Sequence, residues 1–115
     1  MADAASLKDL QGQVDEWIRD VGVRYYCELT NTAILAEEVG EVSRLMARLY
    51  GDQSFKAGHE KGLADVAEEL SDVLFVVICL ANQTGIDLQE AFDLAMDKRT
   101  QRDRERHASN PKLKS

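Results

Sequence analysis

Apolar residues recur at helical spacing along almost the whole chain, and the period-two alternation of strands is nearly absent. Leu7, Leu10, Val14, Trp17 and Val21 step by three or four residues, a first helix that Ser6 can cap and Gly22 with Arg24-Tyr25-Tyr26 ends. A second helix is predicted from near Thr30–Thr32 to about Tyr50, with Leu35, Val39, Val42, Met46 and Leu49 as its buried stripe. Gly51-Asp52 stops it, and 51–60 read as a mobile connection. The third helix, about 60–83, becomes apolar on every side over Val73–Ala81, which demands a central position. Gly85 supplies a left-handed end, and Asp87-Leu-Gln-Glu90 reads as a capping box. It opens a fourth helix with Leu88, Ala91, Phe92, Ala95 and Met96 facing inward, running on toward Pro111 at the latest. The pattern predicts an all-α, four-helix bundle-type domain over 1–107 and a flexible basic tail over 108–115. Helical stripes in so short a chain leave apolar surface over, which predicts a homodimer or homotetramer built through helix faces.

The longest apolar run, nine of the 115 residues, falls far short of the roughly 20 a spanning helix needs. The N-terminal Met-Ala-Asp-Ala-Ala-Ser lacks the basic start and apolar stretch of a signal peptide, so a cytoplasmic location is expected. Cys27 and Cys79 show no metal-binding spacing and are read as reduced. Net charge changes the picture more. The total is −7, but residues 98–115 carry seven basic against two acidic residues, a net +5 that leaves −12 on 1–97. Such a distribution excludes a general nucleic-acid binder and fits a cation site beside a phosphate site.

The acid is concentrated in Glu37-Glu38-Val-Gly-Glu41 on the second helix and Glu68-Glu69-Leu-Ser-Asp72 on the third. At 100° per residue, Glu38 and Glu41 lie one turn apart and about 60° around the helix, so their carboxylates can converge. Glu69 and Asp72 repeat that geometry with Asp65 on the same face, and two such pairs can make a four-carboxylate cage. Asp72 borders the apolar run, where an unpaired charge is expensive, and crowded carboxylates must raise their pKa values or recruit a cation. An oxygen-only ligand set selects hard ions such as Mg²⁺, with Mn²⁺ as a substitute. The bland alternative is a solvated acidic face. Two other acidic motifs fail. A di-iron bundle needs Glu three before a His, but Lys56 precedes His59 and Arg104 precedes His107. A Nudix box needs an Arg where Ala33 stands, together with strands that are missing here.

Glu-Glu-x-x-Glu at 37–41, then Glu-x-x-Asp at 69–72, within Leu35–Val42 and Glu68–Val77, resembles the MazG-type all-α nucleotide pyrophosphohydrolases. The likeness spans about 7–107 and is closest to small single-domain members, where a Lys-x-x-x-Arg-Asp element matches Lys98, Arg102 and Asp103. The resemblance implies Mg²⁺-dependent cleavage of a nucleoside triphosphate, ribo or deoxy, between the α and β phosphates, giving monophosphate and pyrophosphate. It also implies Glu38, Glu41, Glu69 and Asp72 as metal ligands, and dimers or dimers of dimers.

Residue chemistry extends this. Glu37, beside the cage, is the candidate general base. Lys98 and Arg102, one turn apart, are candidate ligands for the β and γ phosphates, against the plainer reading of a basic helix end. Tyr25, Tyr26 or Trp17 could stack on a base, although Trp17 lies at core spacing. Asn82 could meet a base edge or bond the backbone at a helix end. Two other classes stay open: a non-catalytic Mg²⁺- or nucleotide-binding helical module, and a structural helical oligomer. Neither calls for a membrane or a nucleic-acid polymer as partner.

Overall fold

A computed structural model describes residues 4–114. Residues 1–3 and 115, the start of the N-terminal stretch and the end of the tail, lie outside the described residues. The order is α1 (Leu7–Trp17), a π-helical turn (Ile18–Gly22), α2 (Glu28–Tyr50), α3 (Leu63–Thr84), α4 (Leu88–Ala108) and a 3₁₀ turn (Pro111–Leu113). The described residues contain no strand, as the spacing predicts.

Two helix ends form by the predicted chemistry and a third does so in part. The Ser6 hydroxyl accepts from the Asp9 N–H while the Asp9 carboxylate accepts from the Ser6 N–H, closing a capping box. Gly85 ends α3 in the left-handed region at φ 71°. The Asp87 carboxylate caps α4 by accepting from the Glu90 N–H, but the Glu90 carboxylate makes no return bond to the Asp87 N–H, so the predicted capping box is only half formed. Gly51 is required for another reason: a Cβ there would lie 2.5 Å from the Ala47 carbonyl oxygen.

α3 is the central helix, packed against both α2 and α1, as its all-round apolar stretch requires. Val76, Ile78, Cys79 and Ala81 are buried along it, with Val66, Leu45 of α2 and Ile18 completing the core. The buried meridian of α2 is not the predicted one. Val39 and Met46 are 46% and 42% exposed, whereas Asn31 and Leu45 are buried and Glu38 is half-buried. At 100° per residue, Asn31, Ile34 and Leu45 fall within about 40° of Glu38, and Val39 and Met46 lie about 80–100° away. The purely apolar stripe therefore loses to a mixed one, because α2 turns Asn31 and Glu38 toward α3.

The fourth helix differs more. It touches α1 near its start and buries no residue; Phe92 and Met96, expected inward, are 51% and 43% exposed. The radius of gyration is 18.2 Å, against roughly 13 Å for a compact chain of this size, because α4 projects from the body. Its root is fixed by two glutamines that satisfy opposite helix N-termini. The Leu88 N–H donates to Gln11 Oε1 at 2.8 Å, and the Leu7 N–H donates to Gln89 Oε1 at 2.9 Å. Among the described residues no helix is long and apolar enough to cross a membrane. Cys27 is exposed and Cys79 buried, and both are free thiols.

Candidate active site

The turned meridian of α2 brings Glu38 against the α3 pair. Oxygens of Glu38, Glu69 and Asp72 all lie within 4.8 Å of one another. Glu69 is half-buried, and its Oε2 is enclosed with no hydrogen-bond partner. Proximity to Glu38, with which it can share a proton, pushes the Glu69 carboxyl above the usual carboxylate range. Burial and the charges of Glu38, Asp72 and Glu41 push it the same way. Three crowded acids with an orphaned oxygen have no ion pair among the described residues, and their hard oxygen donors fit a divalent cation.

The predicted fourth ligand, Glu41, stays outside this group of three and is exposed, although Glu69 feels its charge. The reason is angular: Glu38 points along the buried meridian, and Glu41 lies about 60° to one side. Glu37, the residue before Glu38, is exposed and is not one of the clustered acids. Asp65 does not join; its carboxylate caps α3 by accepting from the Gly62 N–H at 2.9 Å.

Beside the acids a cavity of about 410 Å³ opens between α1, α2 and α3. Glu38 and Asp72 form part of its wall, so the charged cluster and the pocket are continuous. Trp17, Ile18, Ile34, Phe75 and Val76 supply apolar lining, and Trp17 meets Phe75 edge-on at 5.8 Å. Trp17 is 49% exposed, so its core spacing leads to the cavity and not to the core. The π-helical turn and the segment after it close one side with Gly22, Arg24, Tyr25 and Tyr26. There Val23 sits at φ 72° in a γ-turn, with the Arg24 N–H donating to the Gly22 carbonyl at 2.9 Å.

Tyr25 is held in place. Its hydroxyl donates to Asp15 Oδ1 at 2.6 Å and accepts from Asn82 Nδ2 at 3.1 Å. Burial and the Asp15 hydrogen bond push its pKa up to about 12. Asn82 itself does not line the cavity. Its amide also donates to the Gln11 carbonyl and its Oδ1 accepts from Gln11 Nε2, so it serves the corner between α1, α3 and α4. Lys98 and Arg102 lie exposed on α4 and do not line the cavity, and Arg102 makes a two-pronged ion pair with Asp103 at 2.7–2.9 Å.

Sequence reasoning missed Asn31, Ile34, Phe75 and Arg24 as cavity residues. Asn31 carried a usable signal, since it precedes Glu38 by seven residues and so shares its meridian.

The MazG nucleotide pyrophosphohydrolase domain matches residues 27–107, which hold all three clustered acids. The chain belongs to the MazG family. As a family member it is a hydrolase acting on nucleotides. YpjD of Bacillus subtilis (strain 168) is 40% identical over 101 residues, 88% of this chain and 89% of that protein. The crystal structure of YPJD from Bacillus subtilis superposes with a TM-score of 0.72 at 41% identity, over 85% of this chain and 95% of that one. The crystal structure of the Bacillus-conserved MazG protein, a nucleotide pyrophosphohydrolase, gives 0.69 at 37% identity over 84% and 92%.

Proposed function

We propose that this MazG-family chain hydrolyses a nucleoside triphosphate, ribo or deoxy, between its α and β phosphates, releasing monophosphate and pyrophosphate with Mg²⁺. One observation carries the reading: Glu38 and Asp72 belong both to the acid cluster and to the wall of an aromatic-lined cavity. A nucleoside seated there lays its phosphates against the carboxylates, and the cavity volume falls within the range of small-molecule sites. Glu38, Glu69 and Asp72 are the residues to hold Mg²⁺, with Glu41 the neighbouring fourth acid. Bound Mg²⁺ would neutralise phosphate charge and acidify an attacking water.

Trp17, Tyr25 and Tyr26 offer aromatic surface to the base. Glu37, exposed next to Glu38, is the candidate to take the proton from the attacking water. Arg24, at the cavity, spends Nη1 on the Tyr25 carbonyl and keeps its other donors for phosphate. Lys98 and Arg102 serve the β and γ phosphates from a second copy of the chain in this reading. The projecting α4, with Phe92 and Met96 uncovered, supports a homodimer or homotetramer. The proposed setting is the cytoplasm, in nucleotide-pool housekeeping.

Chromatographic product analysis across the four NTPs and four dNTPs tests this. Equal amounts of monophosphate and pyrophosphate are expected with Mg²⁺, lost in Glu38→Gln and in Asp72→Asn. Diphosphate plus orthophosphate contradicts the cleavage site. Saturable nucleotide binding without turnover makes the chain a binding module, and neither binding nor turnover makes it a structural oligomer.

A further inference from the structure

The cavity wall carries one polar side chain that no role above absorbs. Asn31 is buried, 5% exposed, in the second turn of α2, and it lines the cavity. A chain of hydrogen bonds sets which way its amide faces. Gln83 Nε2 donates to the Tyr26 carbonyl at 2.6 Å and reaches the Glu28 carboxylate at 3.4 Å. Both are acceptors only, so the Gln83 NH₂ must face them and its Oε1 faces Asn31. Asn31 Nδ2 donates to that Oε1 at 2.8 Å, with the Tyr26 carbonyl at 3.5 Å as a second acceptor. The donor end of Asn31 is thereby spent inside the protein. Its Oδ1 takes no hydrogen bond from the described residues, and it is the atom left for a ligand.

Polar groups of the neighbouring Tyr25 and Tyr26 are already engaged. The Tyr25 hydroxyl is shared between Asp15 and Asn82, and the Tyr25 and Tyr26 carbonyls already accept from Arg24 and Gln83. A group entering beside the Trp17–Phe75 pair therefore meets apolar surface and one fixed, uncharged acceptor, with Glu38, Asp72 and the remaining Arg24 donors left to the metal and the phosphates. Burying a second acceptor against it would leave both unpaired, whereas an N–H satisfies it.

We propose that Asn31 is a specificity-determining residue whose Oδ1 accepts an N–H from the edge of the nucleobase, an exocyclic amino group or a ring imide. This rests on the nucleotide reading of the cavity. The pocket then rejects bases whose edge donors are blocked, and Gln83 acts as the positioning residue that keeps the Asn31 oxygen outward.

The test is equilibrium binding of nucleoside monophosphates by calorimetry, which needs no turnover. Each common monophosphate is compared with its counterpart methylated at the edge nitrogen: N4,N4-dimethylcytosine, N6,N6-dimethyladenine, N3-methyluracil, N1-methylguanine. For the preferred base, wild type is expected to bind the parent about 10- to 100-fold more tightly than the methylated form, the range for one buried hydrogen bond. Asn31→Leu is expected to bring that ratio near one. Gln83→Leu, which removes the acceptor that holds Asn31 Nδ2, is expected to lower it. Equal binding of every pair by wild type overturns the proposal without recourse to a variant, as does an unchanged ratio in Asn31→Leu. Selective binding without pyrophosphate release would sustain the Asn31 assignment and overturn the catalytic reading alone. Release with no selectivity does the reverse, and no binding of any nucleotide overturns both.

Discussion

Replacing Gln11 with Met keeps the length and most of the volume of a 9%-exposed side chain but deletes three hydrogen bonds. Gln11 Nε2 donates to Asn82 Oδ1 at 3.0 Å and to the Ile86 carbonyl at 2.8 Å, and its Oε1 accepts from the Leu88 N–H at 2.8 Å. At about 1 kcal/mol net for each bond the loss is about 3 kcal/mol. The unsatisfied Leu88 N–H at the start of α4 prevents a smaller value. For a domain of this size that lowers Tm by roughly 10–20 °C. Gln11→Glu should cost at least as much, since it keeps the acceptor for Leu88 but sets a largely buried carboxylate against the Asn82 and Ile86 oxygens. Urea and thermal unfolding at one fixed protein concentration measure both variants, because any association makes Tm concentration-dependent. A loss below about 1 kcal/mol for Gln11→Met would refute the view that this side chain joins α1, α3 and α4.

Two further outcomes follow from the same segment. Val23→Gly should raise stability by about 1 kcal/mol, because relief of a β-branched residue at φ 72° outweighs glycine's entropy cost; a lowered Tm contradicts that strain. Hydrogen bonds from Arg19 and Tyr25 hold the Asp15 carboxyl below its ordinary 3.8. The stability from that depressed value is present above pH 3.8 and lost as pH falls through the folded value. Wild type should therefore lose more stability than Asp15→Asn between neutral pH and about pH 3, read from urea midpoints.

How much was legible depended on how local the cause was. The caps at Ser6 and Asp87 and the stop at Gly85 act within one turn, and each lies where its residue pattern places it. Glu69 and Asp72, with Glu38 opposite, were legible from i, i+3 spacing, although the same spacing also placed Glu41 in the cluster. The rotation of α2 was not, since hydrophobic periodicity favours Val39 and Met46 over a stripe containing Asn31 and Glu38. Only packing against α3, with Gln83 across from Asn31, makes that mixed stripe the buried one. The course of α4 was also hidden. Its apolar positions obey helical spacing, yet nothing in a single chain covers Phe92 or Met96.

The claim beneath the functional account is that Glu38, Glu69 and Asp72 crowd together in order to share a cation. The most direct measurement is Tm of wild type and Glu69→Gln as Mg²⁺ is raised from a chelated baseline. Wild type should gain about 2.7 kcal/mol at a hundredfold excess over Kd, a rise of roughly 10 °C or more. Glu69→Gln should start no lower than wild type, because it removes like-charge crowding, and should gain little from Mg²⁺. A wild-type Tm unmoved by Mg²⁺, or a Glu69→Gln protein stabilised equally, would contradict the claim.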